Sequence, residues 1–240
     1  MAEHFTLSDF AYAHRGLWST FGATENSLAA CLAAANAGLG IEFDVRPSAE
    51  GMPMIFHDAI LDRMTDQSGL FEYYSAKELE TIELKGGGTI FSLETLLENW
   101  PGETPLLCDI KIDGKTDPAE FAQTVGELLT AYSGPAAAMC FYRKAVAALP
   151  STLMRGQLIN AQIRIGEDSF KAWLANIDTD IADYIACHTT DAERARVRAD
   201  KLDIPLVVWT VKDVETSQRL KPIVDAQIFE SFDPAIVKPG

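Results

Sequence analysis

Basic residues are scarce in this chain. Its 240 residues hold 20 Lys and Arg against 35 Asp and Glu, a formal net charge of −15. Nucleic acid is bound through clustered Lys and Arg, so this balance argues against a nucleic-acid partner. Runs of five or more like charges are also missing, and the acidity reads as a dispersed, solvated surface. The segment Met1–Thr6 lacks a basic stretch leading into an apolar core, so no secretory signal is read there. No apolar run approaches the ~20 residues of a membrane span. The longest helix-like one, Leu28 to Leu39, is interrupted by Asn36 and Gly38, and membrane insertion is not expected. Cys31, Cys108, Cys140 and Cys187 are widely spaced, with no CxxC or zinc pattern. They read as reduced packing residues of a cytoplasmic protein rather than a disulfide framework. Internal repeats and low-complexity tracts are absent as well.

What remains is an ordinary soluble composition, 48% apolar and 23% charged, in which short apolar runs alternate with helical patterns. Strands are expected at Ala11–His14, Gly40–Val45, Leu106–Ile112, Ala136–Phe141, Leu153–Ile159, Asp183–Cys187, Leu206–Val211 and Ala226–Phe229. Helical stretches between them include Glu25–Ala37, Pro118–Tyr132, Asp168–Asn176, Ala192–Lys201 and Val214–Leu220. Strands separated by helices pair in parallel, because parallel neighbours need a crossover. Eight such units in a chain near ~250 residues predict an α/β (β/α)₈ barrel spanning residues 1–240. An open doubly wound sheet is the rival, but no GxGxxG follows the first strand. Residues 46–104 depart from the alternation. Ser48–Gly51 reads as a turn, Met52–Phe56 as an extra strand, Gly86–Gly88 as a flexible connection and Leu93–Trp100 as a helix. This is an excursion on the barrel rather than a second domain, since about 60 residues so poor in apolar groups make a marginal core.

Reacting groups in such barrels sit at the C-terminal ends of strands. His14 and Arg15 end the first strand, where Gly16 permits a sharp turn. Along Ile41-Glu42-Phe43-Asp44-Val45, side chains alternate, so Glu42 and Asp44 share a face. Turned inward, the two carboxylates repel and lose solvation unless something positive lies between them. Turned outward, they would instead put Ile41, Phe43 and Val45 inside. The inward facing is favoured because helix-covered parallel strands are apolar on their outer face too. Asp109 and Lys111 share a face of the next barrel strand, beside that pair. Three carboxylates without a thiolate suit a hard divalent cation, Mg²⁺ or Ca²⁺. Lys111 then either neutralises the acids or, the preferred reading, holds a phosphate. His57, after the extra strand, returns a second imidazole toward the mouth. With His14 it forms a candidate acid–base pair, since imidazole titrates near ~6.5.

In order and spacing, His14-Arg15-Gly16, Glu25-Asn26-Ser27, Ile41-Glu42-Phe43-Asp44-Val45, Gly51, His57-Asp58, Leu61-Asp62-Arg63-Met64-Thr65, Gly69 and Asp109-Ile110-Lys111 resemble the motifs of the glycerophosphodiester phosphodiesterase family. Val208-Trp209-Thr210-Val211 resembles its seventh strand. The resemblance implies a barrel that hydrolyses glycerophosphodiesters, small-molecule substrates, to an alcohol and glycerol 3-phosphate with one divalent metal. Glu42, Asp44 and Asp109 would be metal ligands, His14 and His57 would share acid–base work, and Arg15 with Lys111 would hold the phosphate. Trp209 would wall the leaving group or simply pack the barrel. Three positions depart from the family. Asp109 stands where it has Glu, Ile228-Phe229-Glu230-Ser231 where it ends a strand in Thr-Asp, and Cys140-Phe141 where it has Ser before Phe. His4 and His188 read as core or surface residues without an assigned role. Two rivals are a membrane-acting phosphodiesterase of the same superfamily and a silent barrel that senses a phosphorylated ligand. The first lacks a basic amphipathic segment here, and the second has no need of two histidines.

Overall fold

The computed structural model describes residues 5–19, 22–112 and 114–237; His4 lies outside them. Nine strands occur among these residues: β1 (Tyr12–His14), β2 (Gly40–Pro47), β3 (Pro53–Ile55), β4 (Leu106–Ile110), β5 (Ala136–Cys140), β6 (Met154–Leu158), β7 (Tyr184–His188), β8 (Leu206–Val211) and β9 (Ala226–Phe229). Eight of them run parallel in the ring β1-β2-β4-β5-β6-β7-β8-β9, which closes where β9 pairs with β1. The expected (β/α)₈ barrel is therefore present, and β3 is the extra strand, antiparallel against the end of β2.

The helices are α1 (Leu28–Asn36), α2 (Ala76–Leu79), α3 (Leu93–Asn99), α4 (Pro118–Ala131), α5 (Arg143–Ala148), α6 (Gln162–Ile165), α7 (Glu167–Ala175), α8 (Ala192–Leu202) and α9 (Val214–Leu220). Their starts follow capping chemistry. The Ser27 hydroxyl accepts from the Ala30 N–H of α1, and Asp117 caps α4 with Pro118 in its first turn. Expected boundaries shift by a residue or two, as where β4 ends at Ile110 rather than Ile112, and the start of α1 moves furthest among the helices. A helix over Glu25–Ala37 would enclose Glu25 and Asn26, but Ser27 starts α1 later, and Asn26 adopts φ +52° outside it. Glu25 and Asn26 are thereby released for other contacts.

Alternation sorts the strand residues into two apolar layers. Ile41, Phe43, Val45, Cys108, Ile110 and Cys140 pack outward against the helices. Tyr12, Leu107, Met139, Leu158, Tyr184, Val207 and Ile228 fill the barrel interior. Gly40 and Gly156 make room there: a Cβ at Gly40 would come 2.8 Å from the Tyr12 ring, and one at Gly156 2.3 Å from Tyr184. All four cysteines are buried and free. The excursion after β3 gathers its own cluster, including Met54, Phe56, Leu61, Phe71 and Ile90. Among the described residues no helix is long and apolar enough to cross a membrane.

Candidate active site

The register of neighbouring strands assembles the mouth of the barrel. His14 of β1 lies beside Glu42 of β2, and Asp44 of β2 beside Asp109 of β4. Glu42 and Asp44 face inward, and an oxygen from each of Glu42, Asp44 and Asp109 lies within 4.8 Å of the others. All three residues are buried. Lys111, just past β4, contacts Asp109 and lies 3.1 Å from Asp44 Oδ1, while Arg15 Nε lies 3.2 Å from Asp44 Oδ2. The Asn26 side-chain amide donates to the same Asp44 oxygen at 2.8 Å.

The charges in this cluster do not balance evenly. Burial opposes ionisation of Asp44, but Lys111 and Arg15 overcome it and hold that carboxyl far below the usual range. Glu42 is pushed well up by burial and by its neighbours Asp44 and Asp109. Burial also lifts Asp109 to about 6, although Lys111 counters it. Asp109 Oδ1 is buried with no hydrogen-bond partner among the described residues. Three convergent hard oxygens, an orphaned acceptor and two acids whose ionised forms burial disfavours fit a divalent cation. Glu42, Asp44 and Asp109 are the residues that could hold it.

The two imidazoles stand on different supports. His14 Nδ1 pairs with Glu230 Oε2 at 2.5 Å, and Nε2 lies 3.9 Å from Glu42 Oε2. Lys212 Nζ holds the other Glu230 oxygen at 2.7 Å. Burial raises the Glu230 pKa, yet the bonds to His14 and Lys212 more than offset this and set it at about 2. His57 Nδ1 pairs with Asp58 Oδ1 at 2.6 Å. Arg63 bonds Asp58 and also Glu25, and Glu25 in turn accepts from Arg15 at 2.7 Å. His57 and Arg15 are thus joined through Asp58, Arg63 and Glu25. Burial lowers both histidine pKa values from 6.5, and the carboxylates around them only partly restore them.

Arg15 reaches its place through an uncommon backbone, with φ +59° followed by Gly16 at +82°. A Cβ on Gly16 would come 2.6 Å from the Ala30 carbonyl carbon, so the turn lies directly on α1. A cavity of about 470 Å³ opens above these groups and is lined by His14, Arg15, Glu42, His57, Asp109 and Lys111. Phe141, Trp209, Asn160, Arg164, His188 and Lys212 also line it. Trp209 packs edge-on against Phe141 and His188, with centroids 5.9 and 5.4 Å away.

All eight residues singled out in the sequence meet in this region: His14, Arg15, Glu42, His57, Asp109, Lys111 and Trp209 line the cavity. Asp44 lies beneath it in the carboxylate cluster. His188, read as a core or surface residue, also lines the cavity. Asn26, Glu25, Arg63 and Glu230 went unassigned. Asn26 stood immediately before a good N-cap, Ser27, which signalled a residue free to turn away from the helix. For Glu230 there was no local signal, since its partner is 216 residues away.

Residues 14–148 match the glycerophosphoryl diester phosphodiesterase family. This chain belongs to that family. The matched span contains both histidines, the three clustered carboxylates, Arg15 and Lys111, and it ends before Arg164, Trp209, Lys212 and Glu230. Glycerophosphodiester phosphodiesterase 1 of Bos taurus is 45% identical over 60 residues, which are 25% of this chain and 18% of that protein's length. A phosphodiesterase of Oleispira antarctica, solved in complex with the product sn-glycerol-3-phosphate, superposes with a TM-score of 0.77 at 24% identity over 92% of both chains. A glycerophosphodiester phosphodiesterase of Thermotoga maritima gives 0.75 at 22% identity over 95% of both. At that identity the two structures speak for the shared barrel.

Proposed function

We propose that this member of the glycerophosphoryl diester phosphodiesterase family hydrolyses glycerophosphodiesters to an alcohol and glycerol 3-phosphate with a divalent cation, Mg²⁺ or Ca²⁺. The observation that carries the proposal is the convergence of Glu42, Asp44 and Asp109 within 4.8 Å at the floor of a cavity that His14, His57, Arg15 and Lys111 also line. A cation held by Glu42, Asp44 and Asp109 would supply positive charge to the phosphate oxygens. Arg15 and Lys111, cationic and partly committed to Asp44, orient the phosphate from the same side of the barrel mouth.

His14 and His57 divide the proton traffic. One imidazole takes the proton from the attacking hydroxyl, water's or the neighbouring glycerol's, as the new P–O bond forms. The other gives a proton to the alcohol oxygen as the old P–O bond breaks. Attack by water gives glycerol 3-phosphate directly; attack by the glycerol hydroxyl gives a cyclic phosphate, whose ring P–O bond water then opens with the two imidazoles exchanging roles. Glu230 on His14 and Asp58 on His57 each occupy Nδ1, which leaves Nε2 of both rings for this work. Trp209 and Phe141 offer the departing alcohol an apolar wall. The test is an assay for released glycerol 3-phosphate across a panel of glycerophosphodiesters, each with Mg²⁺, Ca²⁺ or EDTA. Turnover that needs the metal supports the reading; absence of turnover with every ester and both metals rejects it.

A further inference from the structure

The cavity inverts the charge balance of the chain. Overall, acids outnumber Lys and Arg 35 to 20, yet the cavity is lined by Arg15, Lys111, Arg164 and Lys212 against only Glu42 and Asp109. The two acids belong to the carboxylate cluster, and Arg15 and Lys111 lie beside it. Lys212 holds Glu230 at 2.7 Å, which leaves Arg164 as the lining cation whose side chain has no ion pair or hydrogen bond among the described residues.

The surroundings of Arg164 are cationic as well. His188 lines the same cavity; burial lowers its pKa most, Asp191 opposes that, and Arg164 and Lys212 both add to the lowering. The carboxylates nearest to it are committed elsewhere. Asp191 is buried and accepts from the Gln162 N–H at 2.9 Å, and Glu230 is divided between His14 and Lys212. The Arg164 guanidinium, exposed at the rim, has no ion pair or hydrogen bond among the described residues. A cationic head group would also find Phe141 engaged, because the Lys111 ammonium stands 5.9 Å from its ring centroid. In a chain of net charge −15, the long-range field repels anions, so an uncompensated arginine aimed at a substrate cavity is selective only for a negative group.

We propose that the alcohol released by this enzyme carries an anionic substituent, a carboxylate or a second phosphate, bound by Arg164 with support from Lys212 of the same cavity lining. The inference rests on the hydrolase reading above and names its substrate class. Wild type and the variants Arg164→Gln and Arg164→Glu are compared by kcat/KM on four glycerophosphodiesters, whose alcohols are choline, glycerol, glycerate and glycerol phosphate. Arg164 is exposed, so the variants fold. Wild type prefers one of the two anionic esters over the choline ester by about tenfold or more, the scale of one charge contact near a protein surface. The glycerate and glycerol phosphate arms show which anion is bound. Arg164→Gln reduces that preference and Arg164→Glu reverses it. A wild-type preference for the choline ester, or an equal loss on all four esters in Arg164→Glu, overturns the inference while leaving the hydrolase reading intact. Absence of turnover on all four with any metal overturns the hydrolase reading and this inference with it.

Discussion

Glu230 and His14, at the ends of the last and first barrel strands, share a 2.5 Å contact that closes the active-site ring at the seam where the barrel itself closes. The carboxylate sits on Nδ1, so it fixes the imidazole with Nε2 toward the cavity and favours its protonated form. Replacing Glu230 with Gln removes that charge and keeps the shape. We expect kcat to fall by about 10- to 100-fold. The limb of the pH–rate profile that reports His14 should also move to lower pH, because a contribution that raises its pKa is lost. A fall in kcat with an unshifted profile would assign Glu230 a packing role only.

Arg63 tests the circuit on the other side. It is half-exposed, so its ion pairs with Asp58 and Glu25 contribute at most about 1 kcal/mol to stability. Its removal nonetheless cuts the chain of contacts that joins Asp58 beneath His57 to Glu25 beside Arg15. Arg63→Ala should lower kcat/KM by about tenfold with a nearly unchanged melting temperature, since small displacements of positioned groups are costly to rate.

Both histidines have pKa values depressed by burial, which gives stability a predictable pH dependence. Between the folded values and about 6.5 the unfolded chain binds more protons, so stability rises with pH through that window and is lost as pH falls below about 6.5. Asp109, lifted to about 6, acts oppositely, since its protonated form is favoured in the folded state. Urea unfolding in EDTA, at about pH 7.5 and about pH 5.5, should therefore show a smaller acid-side loss in a His14→Gln, His57→Gln variant than in wild type. An equal loss in both would contradict the burial of the two imidazoles.

The inward facing of Glu42 and Asp44 was legible because a period of two leaves only two choices, and apolar neighbours on both sides decided between them. The return of His57 was legible from a turn at Ser48–Gly51 followed by a short strand, and β3 runs antiparallel beside β2 as that pattern implied. Position along a strand thus located His14, Glu42, Asp44, Asp109 and Lys111. Asn26 escaped because helical periodicity runs through Glu25 and Asn26, and the boundary was set by Ser27 capping instead. Glu230 and Lys212 escaped for a different reason. Glu230 meets His14 only when β9 closes the barrel on β1, a long-range event with no local pattern, and Lys212 gains its place through Glu230 on the neighbouring strand end.

Gly16 allows a stability test independent of chemistry. Its φ of +82° and the 2.6 Å approach of a Cβ to Ala30 both oppose a side chain. Gly16→Ala should cost roughly 2–4 kcal/mol, measured by chemical denaturation, through backbone strain and displacement of α1. A cost below about 1 kcal/mol would show that the turn adapts readily.

Phosphodiester hydrolysis is proposed to depend on a cation held by Glu42, Asp44 and Asp109. The most direct measurement is the release of glycerol 3-phosphate from the best ester of the panel, by wild type and by Asp109→Asn, after EDTA treatment and then with added Mg²⁺ or Ca²⁺. The chelated wild type should show no turnover and recover on adding metal, with at least about a hundredfold weaker recovery in Asp109→Asn. Turnover in wild type that is indifferent to EDTA would contradict the proposal.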